Sequence, residues 1–281
     1  MHKSNIQIIK NTGEREFFDP EKLIDSLRDA GADKLVIEKV VKHIEDELHD
    51  GMTTRAIYDH AFQYLKKLQR PVAARYSLKK AIAELGPTGF PFEDYVARIF
   101  SSRGYKTLTD QMVLGSCVPH EVDIVAWNKE KLIMCEVKFH NETSPKTDLK
   151  VALYVKARFD DLKANIFDYG HERRLDEGWL ITNTKFTETA IHYGECYGLK
   201  MVGWDYPKKG NLQQFIEDQE LHPITCLTTL TSAEKTDLLA NKIVLCRELL
   251  ENHHHLFTHL PDAQKRLPEI LEEINYLTGQ K

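Results

Sequence analysis

Apolar residues recur at helical spacing through the first third of the chain and at strand spacing in its middle. Two alternating runs, 6–10 and 15–18, flank Asn11-Thr12-Gly13 and predict a β-hairpin with glycine where a turn tolerates positive φ. Asp19 and Pro20 then read as the N-cap and first residue of a helix carrying Leu23, Ile24 and Leu27. Val36, Val40, Val41, Ile44 and Leu48 mark a second helix. Thr53 or Thr54 opens a third with Ile57, Ala61, Phe62 and Leu65, and a fourth covers 71–85. The string Gly86-Pro87-Thr88-Gly89-Phe90-Pro91 ends this pattern and marks a domain boundary.

Beyond it the pattern predicts a helix over 92–102, strands, and a hairpin within 120–138 around a polar turn at 128–131. A helix over 149–163, a strand over 178–182, a helix over 187–194 and a short strand over 199–204 follow. That alternation implies a mixed α/β sheet flanked by helices. From 211 the chain turns helical again, with Thr231 and Glu234 as a capping box and Leu238, Leu239, Leu245, Leu249 and Leu250 as an apolar face. Three segments result: a mostly helical 1–88, an α/β 89–210, and a small helical 211–281. His253, His254 and His255 read as a solvated turn.

Composition narrows the class. Of 281 residues, 42% are apolar and 29% charged, the mix of a globular protein rather than a disordered or fibrous one. No stretch approaches the roughly 18 apolar residues of a spanning helix, and the first residues lack the apolar region of a secretory signal, so a cytoplasmic location is expected. Cys117, Cys135, Cys196, Cys226 and Cys246 have neither metal-ligand spacing nor disulfide-like clustering, which points to reduced, mostly structural thiols. The net charge of −5 exerts no global pull on nucleic acid. Over 138–158, however, Lys138, Lys146, Lys150, Lys156 and Arg158 outnumber Glu142 and Asp148, so the local sign is right.

The chemistry concentrates in 120–138. Strand alternation puts Leu132, Met134, Glu136 and Lys138 on one face, and Ile133, Cys135 and Val137 on the other. An acid and a lysine at the end of an apolar strand are costly unless solvated, paired or metal-bound. Antiparallel pairing brings Asp123 beside Glu136. Two adjacent carboxylates suit a hard divalent cation, Mg²⁺ or Mn²⁺, which keeps several waters and takes phosphate oxygens as further ligands. Lys138 is placed to orient the attacking water or to offset charge on the phosphoryl oxygens. His120 is either a proton-transfer or phosphate-contacting group or a structural histidine.

Asp123, Glu136, the spacer Val137 and Lys138 resemble the signature of PD-(D/E)XK nucleases. Phe92-Glu93-Asp94-Tyr95, Arg103-Gly104-Tyr105, Leu180-Ile181-Thr182-Asn183 and Phe186-Thr187 extend the resemblance to the Mrr-like restriction endonuclease branch over 90–205. The resemblance implies an acid from the first helix near the metal, here Glu93. Helical periodicity independently sets Glu93 beside the stripe of Phe92, Val96 and Phe100, with Asp94 and Arg98 toward solvent. This chain departs from many relatives of that branch by having His120-Glu121-Val122-Asp123 and Glu-x-Lys instead of a glycine-rich lead-in and Gln-x-Lys.

The first segment resembles the ATP-cone, a nucleotide-binding regulatory domain, through 8–13, 18–23, Thr54-Arg55-Ala56-Ile57 and Ala73-Ala74-Arg75-Tyr76. That implies ATP or dATP as a regulatory ligand, Lys10 and Lys22 on its phosphates, Glu16 and Thr54 helping to hold it, and Tyr58 contributing. Asn11 stands where the family often has arginine, and no Walker-type glycine loop occurs. The tail at 224–243 loosely resembles helix-hairpin modules that grip a DNA backbone, and dimerisation or packing is an equal expectation. Together these features imply a Mg²⁺-dependent endonuclease of restriction type acting on double-stranded DNA, regulated by ATP or dATP and homo-oligomeric. The alternatives are a resolvase or repair nuclease on the same fold, and a nucleotide-sensing DNA-binding regulator whose nuclease fold is inactive.

Overall fold

The protein is described by a computed structural model covering residues 6–251 and 263–280. Its chain forms two compact units, one built from the described residues of 1–81, 222–238 and 246–281, the other from 82–221 and 239–245. Residues 253–255 lie outside the described residues.

In the first unit, β1 (Gln7–Ile9) and β2 (Arg15–Phe17) form the expected antiparallel hairpin. Helix α1 (Pro20–Asp29) starts where Asp19 caps it, its carboxylate accepting from the Glu21 N–H at 3.1 Å. Asp33 caps α2 (Lys34–Glu47), and Thr53 caps α3 (Thr54–Leu68). The single helix expected over 71–85 is two, α4 (Arg70–Tyr76) and α5 (Leu78–Ala83). Between them the Ser77 hydroxyl donates to the Ala74 carbonyl at 2.8 Å, competing with the helical ladder. Leu27, Val40, Ile44, Ala61, Leu65 and Ala73 are wholly buried in this core, the larger ones each contributing about 1.5–3 kcal/mol of transfer free energy.

The second unit opens with α6 (Phe90–Ser102), two residues earlier than expected because Pro91 fits the first turn. Strands β3 (Lys106–Leu114), β4 (Pro119–Trp127) and β5 (Leu132–Lys138) follow. Next come β6 (Lys146–Thr147), α7 (Leu149–Lys163), β7 (Phe167–Asp168), β8 (Glu172–Arg173), β9 (Glu177–Thr182) and β10 (Lys185–Phe186). The unit continues through α8 (Glu188–Tyr197), β11 (Lys200–Val202) and α9 (Leu212–Asp218). The main sheet has the order β11-β9-β5-β4-β3, parallel on the β9 side of β5 and antiparallel on the β4 side. This is the mixed α/β sheet that the alternation of elements predicts, with helices on both faces.

Leu132, Met134 and Leu180 face Ala152, Val155, Phe159 and Leu162 of α7 and Ala190 of α8. On the opposite face, Ile99 and Phe100 of α6 meet Trp179, Ile181 and Val202. Helix α7 lies so close to the sheet that a Cβ on Gly178 would stand 2.3 Å from the Phe159 ring, so only glycine fits there.

The tail returns to the first unit through a 3-10 turn (Ile224–Cys226), most of α10 (Ser232–Ala240), α11 (Cys246–Glu251) and α12 (Ala263–Leu277). The Thr231–Glu234 capping box is reciprocal, with Glu234 accepting from the Thr231 N–H at 2.7 Å and Thr231 from the Glu234 N–H at 3.3 Å. The Tyr276 hydroxyl donates to the Ala30 carbonyl at 3.0 Å, Arg70 pairs with Glu269, and Thr225 donates to the Ala81 carbonyl at 2.7 Å. The sequence-based segment 211–281 is thus shared between the two units. Its apolar residues, Leu249, Ile270, Ile274 and Leu277 among them, are too few for a core of their own and are buried against α4 and neighbouring elements.

Candidate active site

The antiparallel register Ile124↔Cys135 and Val125↔Met134 sets Asp123 beside Glu136, as strand pairing implies. The Asp123 carboxylate accepts from the Val137 N–H at 2.6 Å. Strands β3 and β4 both bend at this level. Pairs Thr109↔Ile124 and Gln111↔Val122 flank Asp110 and Asp123, and Asp110 has φ +54°, a backbone state uncommon outside glycine and found at bulges and functional sites. Val122 and Val125, which strict alternation would put on opposite faces, lie in the same core. The bend turns Asp123 and Asp110 toward Glu93 of α6, whose carboxyl feels the charge of both.

Crowding shows in the carboxyls. Burial, then the Glu136 charge, pushes Asp123 up to about 7. Burial, then the charges of Asp123 and Asp110, pushes Glu93 up to about 8. Glu136 is only 9% exposed. Its Oε1 accepts from the Tyr154 hydroxyl at 2.9 Å and its Oε2 pairs with Arg158, whose guanidinium also donates to the Glu121 carbonyl at 3.0 Å. The charge opposite Glu136 therefore comes from α7 and not from Lys138. Lys138 is exposed at the end of β5, its ammonium in no ion pair among the described residues. Just beyond it Asn183 brackets the His140 main chain, accepting from its N–H at 2.9 Å and donating to its carbonyl at 2.7 Å. This bracket extends the β5–β9 pairing past Lys138.

Asp123, Glu136 and Glu93 thus come together near the bend, and Lys138 follows Glu136 by two residues at the exposed end of β5. Asp94 and Arg98, expected toward solvent, are partly buried. His120 pairs instead with α7: its Nε2 is 2.8 Å from Asp161, which also accepts from the Cys117 N–H at 2.8 Å and holds the β3–β4 turn against α7. Sequence reading missed Asp110 and the α7 row Tyr154, Arg158 and Asp161. The row was visible as spacings of four and three on one helix face, and Asp110 as an acid between Leu108 and Met112 in an alternating run.

The donor set fits a hard cation. It offers carboxylate oxygens from adjacent strands, desolvated and mutually repelling, with no thiol or imidazole among them. Among the described residues no three His, Cys, Asp or Glu side chains form a group that could hold a metal ion by themselves.

Residues 86–205 match a restriction endonuclease family, 6–84 an ATP cone domain, and 222–278 the C-terminal region of AF1548-like proteins. The crystal structure of AF1548, titled a protein of unknown function, is similar with a TM-score of 0.55 and 33% identity, covering 68% of this chain and 100% of that one. An uncharacterized protein of Archaeoglobus fulgidus is 33% identical over 184 residues, 66% of this chain and 100% of the relative. The chain belongs to the AF1548-like family. It carries an ATP-cone domain and an Mrr-type restriction-endonuclease domain, and the mixed sheet with flanking helices is the fold of the latter.

In the ATP-cone of this AF1548-like chain, Glu16 lies between two lysines, 3.0 Å from Lys10 and 3.2 Å from Lys22. The Lys10 hydrogen bond lowers its pKa, and that of Lys10 is raised in return. Thr54 reaches this hairpin by donating to Asn11 at 3.3 Å, the position where arginine is common in the family. Tyr58, one turn after Thr54 on α3, is stacked on Tyr76 with ring centroids 5.2 Å apart and has Lys80 over its ring. Among the described residues no helix is long and apolar enough to cross a membrane.

Proposed function

We propose that this chain is a metal-dependent endonuclease of restriction type that hydrolyses phosphodiester bonds of double-stranded DNA, with ATP or dATP on its ATP-cone as a regulatory ligand. The adjacency of Asp123 and Glu136, with Lys138 free to reach solvent at the same strand end, carries this reading. Asp123 and Glu136 would hold Mg²⁺ or Mn²⁺, and Glu93 would approach it from α6. The bound ion would polarise the scissile phosphate and lower the pKa of a water. Lys138 orients the attacking water or meets the charge on the phosphoryl oxygens as the phosphorus–oxygen bond to the leaving group breaks. One site per chain and two strands to cut favour a dimer. Supercoiled plasmid should be cut in Mg²⁺ and left intact in EDTA. No cutting with any divalent ion would remove the proposal.

The ion pair between Glu136 and Arg158 favours one rival, a nucleotide-sensing DNA-binding regulator with an inactive nuclease fold. The same plasmid experiment separates the two.

For the nucleotide, Lys10, Lys22, Glu16 and Thr54 form one polar set around the β1–β2 hairpin, and Tyr58 joins through the aromatic stack of α3. Calorimetry with ATP and dATP should give heat on the full chain, and Lys10→Ala should weaken binding about tenfold, the effect of losing one charge-assisted hydrogen bond. The full chain is needed because 222–238 and 246–281 complete the unit that holds the ATP-cone. No heat with either nucleotide would sink the regulatory reading.

A further inference from the structure

Both oxygens of Glu136 are taken by α7, Oε1 by the Tyr154 phenol and Oε2 by the Arg158 guanidinium. The pairing is not a loose surface contact: the Glu136 side chain is 11% exposed and that of Arg158 23%. Arg158 is further aligned by the Glu121 carbonyl and lies 5.7 Å from the Tyr154 ring centroid. A carboxylate can accept from Tyr154 and still bind a cation with its other lone pairs. It cannot keep a guanidinium and a divalent cation on the same oxygen without strong repulsion between the two positive charges.

We propose that the Arg158 guanidinium competes with a divalent cation for Glu136, and that an ion held by Asp123 and Glu136 frees the guanidinium to grip a phosphate oxygen of the DNA backbone. This rests on the nuclease reading. The planar, always charged guanidinium is suited to both partners in turn, carboxylate and phosphate. Release sends it toward the exposed Tyr154 edge of α7, where Lys150 and Lys146 are also exposed and supply the positive surface a phosphate backbone needs. Arg158 is then a device that keeps two crowded acids from repelling each other before the ion arrives and is recruited as a DNA contact afterwards.

The proposal separates from a purely structural role because it moves metal affinity and cleavage in opposite directions. Ca²⁺ binding to the full chain is measured by calorimetry at about pH 8.5, where protons compete least for Asp123, alongside Mg²⁺-dependent cleavage. Arg158→Gln, which retains a donor for the Glu121 carbonyl, should bind Ca²⁺ about tenfold tighter or more, the coupling typical of a close charge pair, while cleavage falls. Arg158→Lys keeps the competing charge but not the fork, so its Ca²⁺ affinity should stay near wild type while cleavage again falls. Unchanged or weaker Ca²⁺ binding by a folded Arg158→Gln would mean that Arg158 only braces Glu136, and would overturn the proposal with the nuclease reading intact. Wild-type Ca²⁺ binding that is absent, or indifferent to Asp123→Asn, would overturn both.

Discussion

Asp123→Asn should lose more than about 10³-fold in DNA cleavage and, in EDTA, melt at a higher temperature than the wild type. The activity loss follows from removing one of two carboxylates that face each other across β4 and β5, since the amide has no charge to offer a divalent ion. The stability gain follows from the same burial. The Asp123 carboxyl, ordinarily near 3.8, is pushed up to about 7 by desolvation and by Glu136. Between those values the folded chain holds a proton that the unfolded chain has released, so stability falls as pH rises through the window, and the full penalty stands above about 7. At about 1.4 kcal/mol per pH unit this penalty is on the order of a few kcal/mol. The carboxamide oxygen introduced by Asp123→Asn can still accept from the Val137 N–H, so the substitution removes the charge without orphaning that donor. A rise of several degrees is expected, at about 2–4 °C per kcal/mol for a unit of this size. Thermal melts in EDTA from pH 4 to 8 check this: the wild type should lose stability across the window more steeply than Asp123→Asn, in which the raised Glu93 carboxyl still contributes its own slope. Equal slopes would mean that Asp123 is not a strained acid.

Lys138→Ala should lower single-turnover cleavage by about 10²–10⁴ while leaving Ca²⁺ binding unchanged. Its ammonium neutralises no acid among the described residues, and the β5 end that carries it is fixed by backbone pairing Lys138↔Thr182 and by the Asn183 bracket on His140. Truncation therefore removes a solvent-facing charge and leaves the carboxylates and their strands in place. Melting temperature should move by less than about 0.5 kcal/mol equivalent, the usual effect of an exposed substitution. Loss of Ca²⁺ binding in this variant would assign Lys138 a structural role.

Much of this was legible in the chain. The cap at Asp19, the third helix's cap at one of Thr53 and Thr54, the hairpin around Asn128 and the two faces of β5 follow from local rules of capping, turn chemistry and alternation, and the structure shows them, with Thr53 as the capping threonine. The proximity of Asp123 and Glu136 was legible as well, since one short turn fixes their register. What escaped depends on non-local packing. The bend at Asp110 breaks the period on which strand reading relies, and it is the bend that lets Glu93 and Asp123 approach. Arg158 counted in the sequence only as one of five positive charges, because its partner Glu136 is 22 residues away and meets it only once α7 packs over β5. The tail's return to the first unit escaped for the same reason: α12 is an amphipathic helix whose buried face names no partner until Tyr276 reaches Ala30.

The most direct test is the rate at which wild type and Lys138→Ala cut duplex DNA in Mg²⁺, with Ca²⁺ calorimetry on both. Wild-type cutting that is abolished by EDTA and lost in the variant, with equal Ca²⁺ binding, is the expected result. No Mg²⁺-dependent cutting by the wild type, or equal cutting by both proteins, would contradict the assignment of Asp123, Glu136 and Lys138 as a nuclease centre.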